Sequence, residues 1–312
     1  MTGFLTSERG GRLTELADSA EATARAAAQR AQVQVDLLRD LPELQAAADL
    51  LAWIWGTDSQ KPPVSRDLLR ALTHAGNYVA GAWSAGRLVG ASVGFLGSHD
   101  HRVVLHSHIT GVAPHAQGQR VGSALKQHQR AWSLRQGLTE IAWTFDPLVR
   151  RNGYFNLTKL RARAVAYLPD FYGAMADTIN ADDESDRCLA LWSLARPEVV
   201  AAASELSGSS RSSGRTRSVA DDPPPGTVLL AERDDGRPVL KVGDDGDGTM
   251  LAVQVPADIV ATRKQGPDVA VAWRHALRQA LGGAFDAGYE AVEMTGGGWY
   301  LLERPAGGAG GR

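Results

Sequence analysis

The stretch Val112-Ala-Pro-His-Ala-Gln-Gly-Gln-Arg-Val-Gly-Ser-Ala-Leu-Lys126 decides how this chain is read. It follows a run with the character of a strand, Arg102 to Val112. It opens an amphipathic helix that the pattern carries from Val121 to about Gln136, where Gly137 stops it. Gly118 and Gly122 permit close backbone approach and positive φ. The first N–H groups of the helix have no intrahelical partner and lie at the positive end of its dipole. Together these features predict an anion cradle whose commonest occupant is a phosphate, with Gln119 and Arg120 as added donors. The spacing fits neither a Walker loop nor the Rossmann Gly-x-Gly-x-x-Gly fingerprint. An ordinary strand-to-helix connection, with glycines serving packing alone, is the other reading of the same residues.

Upstream, residues from Leu13 to Arg39 read as a peripheral helix rich in good helix formers. The stretch LPELQAAADLLAWIWG sets Leu44, Ala47, Ala48, Leu51 and Trp55 on one helical face, closed by Gly56. NYVAGAWSAGRLVGASVGF predicts two strands joined across Ser84-Ala85-Gly86, and Gly97 to His101 a polar turn before the third. Downstream, LTEIAWTF predicts a buried strand. The order is helix, antiparallel strands, glycine loop, helix, strand. A crossover helix makes the last two strands parallel, so the expected fold is α/β (α+β), a mixed, mostly antiparallel sheet that opens where the pairing changes hand. Ligands favour such openings.

The 312 residues are 44% hydrophobic, ample for a core, and 33 Lys and Arg stand against 35 Asp and Glu, a formal net charge of -2. No global field draws in nucleic acid or an anionic membrane, so an anion must be caught locally. A single cysteine, Cys188, excludes an internal disulfide. No apolar stretch approaches the roughly 20 residues of a membrane span. The N-terminus lacks the basic-then-apolar order of a secretory signal. A soluble cytoplasmic protein is expected, acting on small molecules without nucleic acid or membrane, with a homodimer left open.

The loop resembles the pyrophosphate-binding segment of the GNAT superfamily of acyl-CoA-dependent N-acyltransferases, V-x-P-x-x-[QR]-G-x-G-x-[GA] followed by a helix. Val112, Pro114, Gln117, Gly118 and Gly122 match, and Arg120 stands where the family usually has glycine. A longer stretch, WTFDPLVRRNGYFNLTKLRARAVAYLPDFYG and then SDRCLALWSL, resembles a bacterial GNAT-like group with a W-T-F-D-P-L, N-x-x-F-N and D-R signature. The resemblance implies acetyl-CoA or another acyl-CoA as cosubstrate, with its pantetheine between two splayed parallel strands. It implies transfer of the acyl group, acetyl or succinyl, to the amine of a small molecule such as an amino acid. Cofactor contacts are implied at Gly111, Val112, Gln117, Gly118, Gln119, Arg120, Val121, Gly122 and Ser123, and at Asn152 and Asn156. A bulge near Ile109 to Gly111 would expose a backbone N–H to polarise the acyl carbonyl as an oxyanion hole.

His108 falls where many members carry a glutamate base, and a histidine has a suitable ordinary pKa of about 6.5. His106 is a second candidate, and a satisfied histidine on a sheet face is the plainer reading of either. The family's tyrosine acid aligns with Leu157, leaving Tyr154, Tyr167 and Tyr172 as replacements or as pocket wall. Asp146 and Pro147 end the strand at a splay point or a structural turn. A non-catalytic acyl-CoA sensor or scaffold, and a phosphate-binding module unrelated to coenzyme A, are the competing functions.

His99, His101, His106 and His108 invite a metal hypothesis, but His101 and His106 would stand roughly 16 Å apart along a strand. Ser123-Ala-Leu-Lys126 matches Ser-x-x-Lys without its companion motifs and reads as accidental. Asp244 to Gly248 reads as a turn, not a calcium loop. The expected organisation is an N-terminal helix over 1–32, a GNAT-like domain over 33–200, a flexible linker over 201–226, a C-terminal half-GNAT-like α/β subdomain over 227–304, and a disordered tail over 305–312. The C-terminal segment HALRQALGGAFDAGYEAVEM echoes SALKQHQRAWSLRQGLTEIAW as a partial repeat without the phosphate loop.

Overall fold

Buried alanines at 17, 20, 24 and 27 give helix α1 (Thr2–Arg30) a thin stripe of small side chains. The expected helix to Arg39 stops there: Gln32 turns the chain at φ 54°, and Gln34–Leu37 forms strand β1. The alternation Val35, Leu37 against Gln34, Asp36 is the period-two signal that wins over helix propensity. The computed structural model describes residues 2–57, 62–173, 184–208, 224, 226–241 and 250–305, with side chains from Gly11 onward. These residues form two compact units, one of the described residues within 2–143 and 193–208, the other of those within 144–173, 184–192 and 224–305.

In the first unit, helices α2 (Leu41–Trp55) and α3 (Arg66–His74) lead into β2 (Tyr78–Ser84), β3 (Arg87–His99) and β4 (Arg102–Val112). Asp40 and Glu43 close a capping box on α2, and Gly56 ends it in the left-handed region, as its spacing predicts. Ala85-Gly86 and Asp100-His101 all have positive φ, the geometry of two-residue hairpin turns. Helix α4 (Val121–Arg135) then crosses to β5 (Glu140–Phe145), which runs parallel to β4; β1 to β4 pair antiparallel in sequence order. Gly111 faces α2 and Gly90 faces α4, so the helices cover opposite faces of the sheet. Leu44, Leu51, Val79, Val93, Val121 and Leu125 share one core. Arg135 of α4 binds Asp18 and Glu21 of α1.

The second unit holds α5 (Arg150–Gly153), which passes into a π-helical segment, Tyr154–Lys159, and then β6 (Arg163–Leu168) and β7 (Arg187–Ser193). Helix α6 (Pro197–Ser207) returns to the first unit, so residues expected to begin the linker at 201 are helical as far as Ser207. Beyond it come β8 (Thr227–Glu232), β9 (Pro238–Leu240), β10 (Met250–Gln254), α7 (Ile259–Gln265), α8 (Pro267–Leu277), a π segment over Arg278–Gly282, α9 (Gly283–Asp286), β11 (Glu290–Met294) and β12 (Trp299–Glu303). The strand order is β7-β6-β11-β12-β10-β8-β9, antiparallel except for β8 beside β10. The C-terminal strands therefore extend the β6–β7 pair, through Ala164 opposite Ala291.

The two segments share a helical stretch, a glycine turn and a strand, although α4 is continuous and the second helix is interrupted by the π segment. Gly137 and Gly288 both end a helix at positive φ, 79° and 82°, before β5 and β11. The likeness fails beyond that, because β12 lies between β10 and β11 and no parallel neighbours meet there. The turn Asp244–Gly248, most of the linker and the tail from Ala306 onward lie outside the described residues. No helix among them is long and apolar enough to cross a membrane.

Candidate functional site

β4 and β5 pair only at Leu105 with Ile141 and His106 with Ala142. β4 runs on to Val112, so its edge toward β5 is released from Ser107 onward, roughly 16 Å of extended chain. Its other edge stays paired with β3 to the end, with one interruption: Val93 opposes Ile109 while Gly94 opposes Ser107, leaving His108 as the extra residue of a β-bulge. The bulge expected over Ile109 to Gly111 is thus on His108 itself, because those three residues keep regular partners in Val93, Ser92 and Ala91. A Cβ on Gly94 would stand 3.0 Å from the His106 carbonyl, so glycine lets the strands close over the kink. At Gly111 a Cβ would meet Ile54 and Trp55 at 2.8 Å, which makes this glycine the seat of α2 against β4.

The His108 side chain keeps much of its surface open to solvent, beside Phe95 at 5.8 Å and His106 at 6.4 Å between ring centroids. The protein packed around its ring disfavours the cation and holds its pKa below the ordinary value. His106 is lowered too, first by burial, then by His108 and Lys126.

After Val112 the chain makes one 3₁₀ turn, Pro114–Ala116, and reaches Gly118 at φ 80°. Arg120 adopts φ 65° at the residue before α4, the left-handed geometry that a glycine takes without strain. The backbone of the loop therefore keeps a glycine-like turn with an exposed guanidinium added to it. No side chain caps α4, and the N–H groups of Val121, Gly122 and Ser123 have no partner within the helix. Gln117 donates to the Val112 carbonyl (3.3 Å) and Gln119 to that of His115 (2.9 Å). Both side chains brace the loop, and each amide keeps a second N–H. A Cβ on Gly118 would meet nothing within 4 Å and one on Gly122 only Val112 at 3.9 Å, so the space before the helix is open. Trp53, 57% exposed, flanks the loop with its ring 6.3 Å from His115.

Sequence reasoning missed what lies under the bulge. Lys126, only 6% exposed, donates to Ser107 Oγ (3.0 Å) and Gln129 Oε1 (3.1 Å), and its Nζ stands 4.1 Å from the Trp143 ring centroid. Gln129 donates to Ser92 Oγ at 3.4 Å, and Ser92 shares a 2.8 Å hydrogen bond with Thr110. Burial lowers the Lys126 ammonium to about 7. The signal was a run of Lys126, Gln127, Gln129 and Arg130 turned inward on a helix, where polar residues are seldom buried without purpose.

The remaining candidates belong to the second unit. Asn152 is exposed, Tyr154 half-buried with Lys159 Nζ 5.3 Å from its ring, and Asn156 buried in the π segment. Leu157, at the family's tyrosine position, is fully buried. Tyr167 donates to Asp186 at 2.7 Å, and burial together with that carboxylate pushes its phenol far up. Asp186 also accepts from the Asp170 N–H and Arg278. Tyr172 shares a 3.3 Å hydrogen bond with Thr144. Asp146 caps the turn at Leu148 (2.9 Å) and receives Arg274 in two bonds (2.8 and 3.1 Å) and Arg263 (3.3 Å). Burial pushes the Asp146 carboxyl up, but Arg274 leads the contacts that outweigh it and leave it below the ordinary value. Cys188 is fully buried, and burial drives its thiol up. No cluster of three or more metal-ligating side chains occurs among the described residues.

No protein-family model and no curated sequence matches this chain. Among solved structures it is similar to an aminoglycoside 6'-acetyltransferase type Ii, at 14% identity over 52% of this chain and 98% of that one, with a TM-score of 0.41. It is similar to an acetyltransferase of the GNAT family from Streptococcus pneumoniae, at 13% identity over 51% and 98%, with a TM-score of 0.40. It is also similar to an aminoglycoside acetyltransferase from an uncultured soil metagenomic sample in complex with sisomicin, at 18% identity over 37% and 78%, with a TM-score of 0.33.

Proposed function

We propose that this protein is an acyl-CoA-dependent N-acyltransferase that moves an acetyl or succinyl group to the amine of a small molecule such as an amino acid. The observation that carries the reading is the released edge of β4, which starts beside a bulged histidine and ends in an uncapped helix N-terminus. The residues fit coenzyme A: open space at Gly118 and Gly122, unpaired N–H groups on Val121 to Ser123, and the Arg120 cation suit a pyrophosphate. Backbone groups on the edge of β4 released from β5, between Ser107 and Gly111, suit the amides of an extended pantetheine arm. The donor supplies a thioester carbonyl, and an N–H of this edge would stabilise the oxyanion formed as the amine attacks.

His108 takes the amine proton. Its depressed pKa keeps the imidazole neutral through the neutral pH range, the state that can accept a proton. The engagement of Tyr167 with Asp186 favours a second reading, an acyl-CoA-binding protein without turnover, because that phenol is a poor proton donor to a leaving thiolate.

Calorimetric titration with acetyl-CoA, succinyl-CoA and free coenzyme A tests the first reading. Micromolar binding is expected, and loss of it in Gly122→Asp, where a side chain has room but brings a negative charge to the cradle. Absence of binding to all three ligands overturns it. Binding without turnover across a panel of amines selects the second reading.

A further inference from the structure

The last parallel pairs of β4 and β5 are Leu105 with Ile141 and His106 with Ala142, so the next residues, Ser107 and Trp143, stand where the two strands part. Lys126 meets both, bonding the Ser107 hydroxyl at 3.0 Å and lying 4.1 Å from the Trp143 ring centroid. From the same ammonium a chain of hydrogen bonds runs through Gln129 and Ser92 to Thr110. Ser107 and Thr110 bracket the bulged residue, so this buried chain spans the bulge from one flank to the other across α4 and β3. Lys126, Gln129, Ser92 and Ser107 are all less than a tenth exposed.

We infer that Lys126 is a positioning residue: it pins the fork between β4 and β5 and fixes the bulge that presents His108. The inference rests on the acyltransferase reading for its effect on rate, though not for its effect on structure. A buried amino group, charged or neutral, costs solvation that a methionine of similar length would avoid, and its bonds offset that cost only while the hydroxyl and amide acceptors hold their places. Removing the ammonium leaves Ser107 and Gln129 short of a partner and lets the bulge relax. A displacement of the base by an ångström is enough to cost up to about 10²-fold in rate.

The test compares wild type with Lys126→Met and with Ser107→Ala, a milder change that keeps the lysine in place. Two measurements are made on each: backbone amide hydrogen exchange over His108 to Thr110, and the pH titration of the His108 imidazole by NMR. Faster exchange and a shifted His108 titration are expected in both variants. For an active enzyme, kcat should fall about 10- to 100-fold in Lys126→Met with the KM for the acyl donor within about twofold of wild type. Unchanged exchange and titration in folded Lys126→Met overturn the inference. If that variant does not fold, unchanged exchange and titration in Ser107→Ala do so. Should wild type prove inactive with every acyl-CoA, the acyltransferase reading fails while exchange at the bulge still decides the role of Lys126.

Discussion

His108 is the extra residue of an interrupted strand, solvent-facing and held below its ordinary pKa by the protein around it. A base works in its neutral form, so the rate should rise with pH through the His108 pKa and level off above it, with the midpoint below 6.5. His108→Gln is expected to lower kcat/KM by about 10²-fold and to flatten this acid limb while leaving coenzyme A affinity within about twofold. A pH–rate profile with an unchanged acid limb in the variant would remove His108 from the role. The sequence was informative here because the histidine and the loop sit on one strand-loop-helix run. It misplaced the bulge because an unpaired residue depends on Gly94 across the strand, not on the residues of β4 itself.

At the scale of elements, Asp146 and Asp186 have a structural role. Asp146 and Asp186 receive Arg274 and Arg278, one turn apart at the end of α8 and the start of its π segment. Two carboxylates thus clamp the helix that carries the second unit. Arg274 is 1% exposed, so Arg274→Met strips a buried carboxylate of its main partner and should destabilise the fold by about 3–5 kcal/mol at pH 7. The depressed pKa of Asp146 stabilises the native state above the unfolded carboxylate pKa and is lost as pH falls through the folded value. The gap between variant and wild type should therefore narrow in acid; urea unfolding at pH 7 and below pH 4 checks both points. None of this was legible beforehand, since the arginines lie more than a hundred residues from Asp146 and look like ordinary helix surface. The helix ends were legible, because Gly56 and Gly137 carry their reason in their own backbone.

Over the whole chain, the composition shift at the linker suggested a boundary that the packing draws elsewhere. Residues 144–173 and 184–192 join the C-terminal strands, through Ala164 beside Ala291 and the Asp146 and Asp186 pairs. A chain ended after Gly208 should leave one edge of β6 uncovered and strip Asp146 and Asp186 of their arginine partners. It is expected to be aggregated or molten by gel filtration and circular dichroism; a monomer with cooperative unfolding would restore the expected 33–200 domain. The mixed sheet and its parallel β4–β5 pair were readable from the order of periodic segments. Strand partners distant in sequence were not, because local pattern carries no information on which edge a later strand will cover. The enclosed Cys188 has a practical consequence: with its thiol buried and no second cysteine in the sequence, folded protein should be silent to maleimides. A cysteine placed at position 115 would then be the sole point of attachment for a fluorophore, set beside the quenching indole of Trp53 and able to report in real time when something enters the loop.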